Sequence, residues 1–136
     1  ILGGGVLERD VLESFPAHVR MRVRCVQTKS DAETATEFAR ADLFVLPSLF
    51  EGTPLTLIEA MRSGLPIVTT STCGMKDVVR DGENGLLVPV RSPERIALCV
   101  ERLISDVHLR ARIGRTAKRQ AQQRRSFVCC YRGRRN

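Results

Sequence analysis

Short apolar runs alternate with stretches of helical period along most of this 136-residue chain. Ile1-Leu2 followed by Gly3-Gly4-Gly5 predicts the end of a strand and a turn. Val6 to Phe15 has the spacing of a short amphipathic helix and is stopped by Pro16. Residues 21–26 alternate apolar and basic, Met21-Arg22-Val23-Arg24-Cys25-Val26, and predict a strand. A helix is expected over 31–40, with Asp31 as N-cap and Ala32, Ala35 and Ala39 along one side. The run over 42–47, closed by Pro47, is that of a buried parallel strand. A loop over 48–53 leads to a helix over 54–63, with Thr53 as N-cap, Pro54 as first helical residue and Gly64 just past its end. A β-branched strand (66–70), a short helix (74–79), a turn cluster (81–85) and another strand (86–88) follow. Ser92-Pro93 opens a helix to about position 105, and a last helix runs from 107 to about 122.

Short buried strands separated by helices predict an α/β fold with a parallel sheet. In such sheets ligands bind outside the carboxyl ends of the strands, which points to the loops after Leu2, Leu46 and Val68. Apolar residues make up 43% of the chain, enough for a core in a single domain. No uninterrupted apolar run is long enough to predict a transmembrane helix, and no signal-peptide pattern is visible. The opening Ile1-Leu2 suggests the interior of a longer polypeptide.

The net charge of +7 hides a partition. Residues 107–136 carry ten Lys and Arg and no acid, whereas residues 1–106 carry twelve basic and fifteen acidic groups, a net of −3. A basic end can meet nucleic acid or anionic lipid, or be a solvated helix face; no aromatic platform or helix-turn-helix pattern supports specific nucleic-acid binding. Of five cysteines, Cys25 and Cys99 fall in apolar runs and are expected as core residues. No C-x-x-C pair exists, His18 and His108 lie at no ligand spacing from the cysteines, and no base is evident for Cys73, so neither zinc nor a cysteine nucleophile is expected. The odd cysteine count without a secretory signal suggests reduced thiols and a cytoplasmic setting.

The richest segment follows Leu46: Pro47-Ser48-Leu49-Phe50-Glu51-Gly52-Thr53-Pro54-Leu55-Thr56-Leu57-Ile58-Glu59-Ala60-Met61. Glu51 stands in a loop before a helix and Glu59 eight residues on, inside it. Unpaired N–H groups of the first helical turn would offer an anion site suited to a diphosphate. Gly52 would allow close approach, and the two carboxylates would accept from sugar hydroxyls on either side. A helix dipole alone also favours acids at this end, but that preference has faded by Glu59, which stands among Leu55, Leu57, Ile58, Ala60 and Met61.

The string Ala41 to Met61, continued through Gly64-Leu65-Pro66-Ile67-Val68-Thr69-Thr70 and Val78-Val79-Arg80-Asp81-Gly82-Glu83-Asn84-Gly85-Leu86-Leu87-Val88, closely resembles the E-x7-E signature region of group 1 (family four) glycosyltransferases. The likeness covers roughly residues 1 to 120. It implies one half of a GT-B fold: a Rossmann-like parallel sheet with helices on both faces, here the C-terminal, donor-binding half. Residues 1–122 would be that domain, N-terminally incomplete, and 123–136 a divergent basic tail. The resemblance implies that Glu51 contacts the transferred sugar in the catalytic centre and that Glu59 binds the ribose. Gly52, Thr53, Pro54 and Leu55 would cradle sugar and diphosphate, Pro54 without an N–H to give, and Gly3 and Gly4 would line the nucleotide site. Ser71-Thr72-Cys73-Gly74 could touch ligand through backbone. The implied reaction is retaining transfer from a UDP- or GDP-linked sugar, with no metal or other cofactor. The acceptor, a glycan or lipid, would be held by a missing N-terminal domain, and the basic tail could make peripheral membrane contact. The sequence departs from the family in three ways: besides the N-terminal domain, the first strand of the donor domain, with the Arg and Lys that normally grip the diphosphate, is expected to be missing; Gln27-Thr28-Lys29-Ser30 after Val26 lacks the usual strand-end Gly; and the match fails beyond Gln123. A non-catalytic nucleotide-binding or interaction module is the competing reading.

Overall fold

The computed structural model describes residues 8–27, 30–52 and 54–123, with Cys73 through its backbone only. Gly3, Gly4, Thr53 and the tail beyond Gln123 lie outside the described residues. The chain divides into two compact units, residues 1–37 and 38–136.

In the first unit, α1 (Glu8–Glu13) and α2 (Ala17–Arg20) flank Pro16, which ends the predicted first helix and then serves as N-cap of the second. The strand predicted over 21–26 is not formed: Met21 and Arg22 make a turn, and only Val26 forms a bridge. Period-two alternation needs a neighbouring strand to satisfy its backbone, and among the described residues none pairs along this segment. Cys25 is half-buried. α3 (Asp31–Arg40) starts where expected, but its cap is Ser30, whose hydroxyl accepts the Glu33 N–H at 3.2 Å. Its alanines are exposed and its one buried residue is Phe38.

The second unit holds a three-stranded parallel sheet in the order β1 (Phe44–Leu46), β2 (Ile67–Thr70), β3 (Leu86–Val88). The register pairs Val45 with Val68 and Val68 with Leu86, so the central strand is buried throughout. α4 (Leu55–Ser63) crosses from β1 to β2, and α5 (Cys73–Lys76) lies between β2 and β3. Gly64 ends α4 in the left-handed region, φ 84°, as its position predicts. α6 (Pro93–Ser105) packs on β2 and β3, and α7 (Val107–Gln123) on α4, α6 and β2. This is the expected Rossmann-like α/β architecture.

The core gathers Val68, Leu86, Val88, Leu103, Leu109 and Ile113, with Val45, Ile96 and Cys99 against it. Partial burial, and secondarily the Asp81 carboxylate, push the Cys99 thiol up, so it stays protonated and fills space. Ser92 stands at the N-cap of α6 but its hydroxyl donates to Val90 instead; Pro93 occupies the first turn as expected. Asp106 separates the last two helices: its N–H meets the Arg102 carbonyl at 3.0 Å and its carboxylate accepts the Leu109 N–H at 2.8 Å. Arg110 donates to the carbonyls of Leu103 and Ile104, closing the end of α6.

α4 and α7 meet at a glycine. A Cβ on Gly114 would fall 2.3 Å from the carbonyl oxygen of Gly64, and backbone cannot yield as a side-chain tip can. Gly114→Ala is expected to destabilise the protein by about 1–3 kcal/mol. Urea unfolding that returns the same midpoint and slope as the parent would show that the two helices separate freely.

Candidate functional site

All three strands run parallel, so the segments after Leu46, Thr70 and Val88 open at one end of the sheet. Two threonines of β2 fix the first of them. The Thr69 hydroxyl donates to the carbonyl of Leu46 at 2.8 Å, and the Thr70 hydroxyl donates to the carbonyl of Ser48. Both threonines are buried, so each bond satisfies a donor that burial would otherwise penalise by about 1–3 kcal/mol. The chain leaves β1 tied to β2 for two residues beyond the ladder. The Ser48 hydroxyl then donates to Glu51 Oε1 at 3.2 Å, which orients the half-buried carboxylate.

A second restraint comes from α5. A Cβ on Gly74 would lie 1.6 Å from the carbonyl oxygen of Gly52 and 3.0 Å from that of Glu51. Only glycine lets α5 sit this close to the loop. Gly74 thus acts on the loop backbone, the contact that the sequence offered to a ligand. Gly52 itself faces open space: a Cβ there would meet nothing within 4 Å.

The helix after the loop starts one residue later than expected, with Pro54 as N-cap in extended backbone and Leu55 as first residue. Pro54 has no side-chain cap to offer, and the N–H groups of Leu55 and Thr56 have no hydrogen-bond partner among the described residues. They are the polar groups a diphosphate would meet there. Glu59 is half-buried, one turn beyond Leu55 on the same face, about 6 Å further along the axis. The opposite face, Leu57, Ile58, Ala60 and Met61, is buried. Amphipathic spacing therefore sends Glu59 outward together with the start of the helix. Thr72, just past β2, has a buried hydroxyl with no partner among the described residues.

Of the predicted site residues, the structure brings Glu51, Gly52, Pro54 and Leu55 into one continuous segment, with Glu59 on the helix it opens. Ser48, Thr69, Thr70 and Gly74 were not singled out as supports. A glycine at the start of a four-residue helix was the one available signal. Among the described residues no group of three or more His, Cys, Asp or Glu could hold a metal ion. Nor is any described helix long and apolar enough to cross a membrane.

This segment and fold match a known class. The family model described as glycosyl transferases group 1 matches residues 3–120, and the chain belongs to that family. A D-inositol 3-phosphate glycosyltransferase of Streptomyces bingchenggensis is 34% identical over 127 residues, covering 89% of this chain and 27% of the relative. The C-terminal domain of a group 1 glycosyl transferase from Francisella tularensis superposes with a TM-score of 0.72 at 25% identity, over 88% of this chain and 63% of that one. Anabaena HepE in complex with UDP-glucose gives 0.75 at 25% identity, over 93% and 36%. The chain spans about a third or less of the length of the curated relatives it matches.

The threonine tie can be tested directly. Thr70→Val keeps the shape but strands the Ser48 carbonyl, at an expected cost of about 1 kcal/mol. Amide hydrogen exchange over residues 48–52 should accelerate more than in α6 or α7. Uniform acceleration, or none, would show that the loop does not depend on this bond.

Proposed function

We propose that this chain is the donor-binding part of a retaining glycosyltransferase that uses a UDP- or GDP-linked sugar. The observation that carries the reading is the segment from Ser48 to Glu59. It holds one oriented carboxylate beside two N–H groups of a helix start that have no partner among the described residues, with a second carboxylate one turn beyond them. Membership of the group 1 family and the likeness to a structure holding UDP-glucose support it.

In this reading Glu51 accepts hydrogen bonds from hydroxyls of the sugar to be transferred. The Leu55 and Thr56 N–H groups face the diphosphate, and Glu59 takes the ribose hydroxyls. In the transfer, the bond from the anomeric carbon to the phosphate oxygen breaks and the electron pair leaves with the nucleoside diphosphate. The acceptor oxygen attaches from the same face, and its proton passes to the departing phosphate oxygen. Backbone dipoles and basic side chains carry the developing charge, without a metal. The acceptor, a glycan or a lipid, is held by an N-terminal domain on the cytoplasmic side of the membrane.

Two outcomes test the proposal. Calorimetry with UDP, GDP and ADP, free and sugar-linked, should show binding of at least one. Glu59→Ala should weaken it by at least about tenfold, the loss of a charge-assisted hydrogen bond. A folded variant with the parent's affinity would remove Glu59 from the site. No nucleotide binding by the parent would leave an interaction module.

The isolated chain, given labelled nucleotide sugars and a panel of acceptors, should show no transfer. Orienting two reactants accounts for up to about 7–11 kcal/mol of a barrier, and this segment orients only one of them. Turnover above a Glu51→Ala control would show that the chain is self-sufficient.

A further inference from the structure

α7 carries six positively charged or titratable basic side chains, His108, Arg110, Arg112, Arg115, Lys118 and Arg119, and no acid. The fold uses two of them. Arg110 donates to the carbonyls that end α6, and both Arg112 terminal nitrogens reach the carbonyl of Gly82 at 3.1 Å. Arg115, Lys118 and Arg119 are exposed, and none has an ion pair or side-chain hydrogen bond among the described residues. Arg112, Arg115 and Arg119 recur at i, i+3 and i+7 and so share one face, with Lys118 at its border. Like charges at these spacings repel, and a surface helix is ordinarily laced with acids that relieve the repulsion. Here nothing on the helix does so.

We infer that this face of α7 docks on an anionic phospholipid surface. Charge complementarity is the first argument: a line of cations on a rigid helix meets a plane of phosphates without needing a groove, and each cation near such a surface adds attraction. Continuity is the second. The sequence after Gln123 adds Arg124, Arg125, Arg132, Arg134 and Arg135, again with no acid. The third argument separates lipid from single-stranded nucleic acid. α7 carries no aromatic on which an unpaired base could stack, whereas a headgroup plane asks only for charge. The inference is independent of the reading of the donor site.

The test is sedimentation of the chain with vesicles of phosphatidylcholine, alone or mixed with phosphatidylglycerol, at several salt concentrations. The chain should sediment only with the mixed vesicles, and less as salt rises. The variant Arg115→Gln/Lys118→Gln/Arg119→Gln should partition at least about tenfold more weakly. A control with the same net charge, Arg22→Gln/Arg91→Gln/Arg95→Gln, should partition like the parent. Circular dichroism and thermal unfolding establish that both fold. Arg115→Lys/Arg119→Lys should retain binding, because a headgroup plane reads charge and not the guanidinium fork. Failure of the parent to bind the mixed vesicles would overturn the inference, and so would equal losses in the two triple variants. Tighter binding to duplex or single-stranded nucleic acid than to the vesicles, at matched salt, would assign the face to that partner instead.

Discussion

Two buried hydroxyls on one strand decide where the candidate site lies. A parallel sheet ends its hydrogen-bonded ladder at the last paired residue, and a loop beyond that point ordinarily chooses its own path. Thr69 and Thr70 extend the control of β2 past the ladder by holding the carbonyls of Leu46 and Ser48. The loop then leaves the sheet in a fixed direction, Ser48 presents its hydroxyl to Glu51, and Gly74 admits α5 against the next peptide. Burial makes the arrangement durable, since breaking either bond would strand polar groups in an apolar setting. A surface carboxylate thereby gains the positional definition of a core residue, which a site built on a loop ordinarily lacks.

The sequence made the second unit readable because its signals are local and mutually consistent. The apolar run to Leu46, the β-branched run to Thr70, Gly64 and the Ser92-Pro93 pair mark boundaries that the structure keeps to within a residue or two. Where reading failed, a non-local partner or a choice between neighbours decided. Residues 21–26 have the alternation of a strand but keep only a bridge at Val26. Ser30 and not Asp31 caps α3, because only the residue outside the helix can turn its oxygen back to the first N–H groups. The helix of the site begins at Leu55 because Pro54 adopts extended backbone. The supports of Glu51 were illegible for a different reason. A threonine hydroxyl that reaches a carbonyl 22 residues away in sequence leaves no periodic trace.

The distribution of charge bears on the proposed site. Its body through position 106 is net negative, and both motif carboxylates add to that field. Carboxylates suit hydroxyls; they oppose phosphates. In the proposed site an anionic donor would therefore rely on backbone N–H groups, while most of the basic residues beyond position 106 lie on one helix face or past it.

The turn between β2 and β3 closes on Asn84, which is wholly buried. Its amide accepts the Arg80 N–H at 2.6 Å, donates to the Val78 carbonyl at 3.0 Å and donates to Gln120 on α7. Gln120 in turn donates to Glu83 at 3.0 Å. Two of these contacts are local, but the one to Gln120 spans 36 residues. The order of assembly follows. A chain synthesised from its N-terminus makes the turn early but cannot complete its hydrogen bonding until α7 has emerged and docked. The last helix is the latch on a loop written long before it.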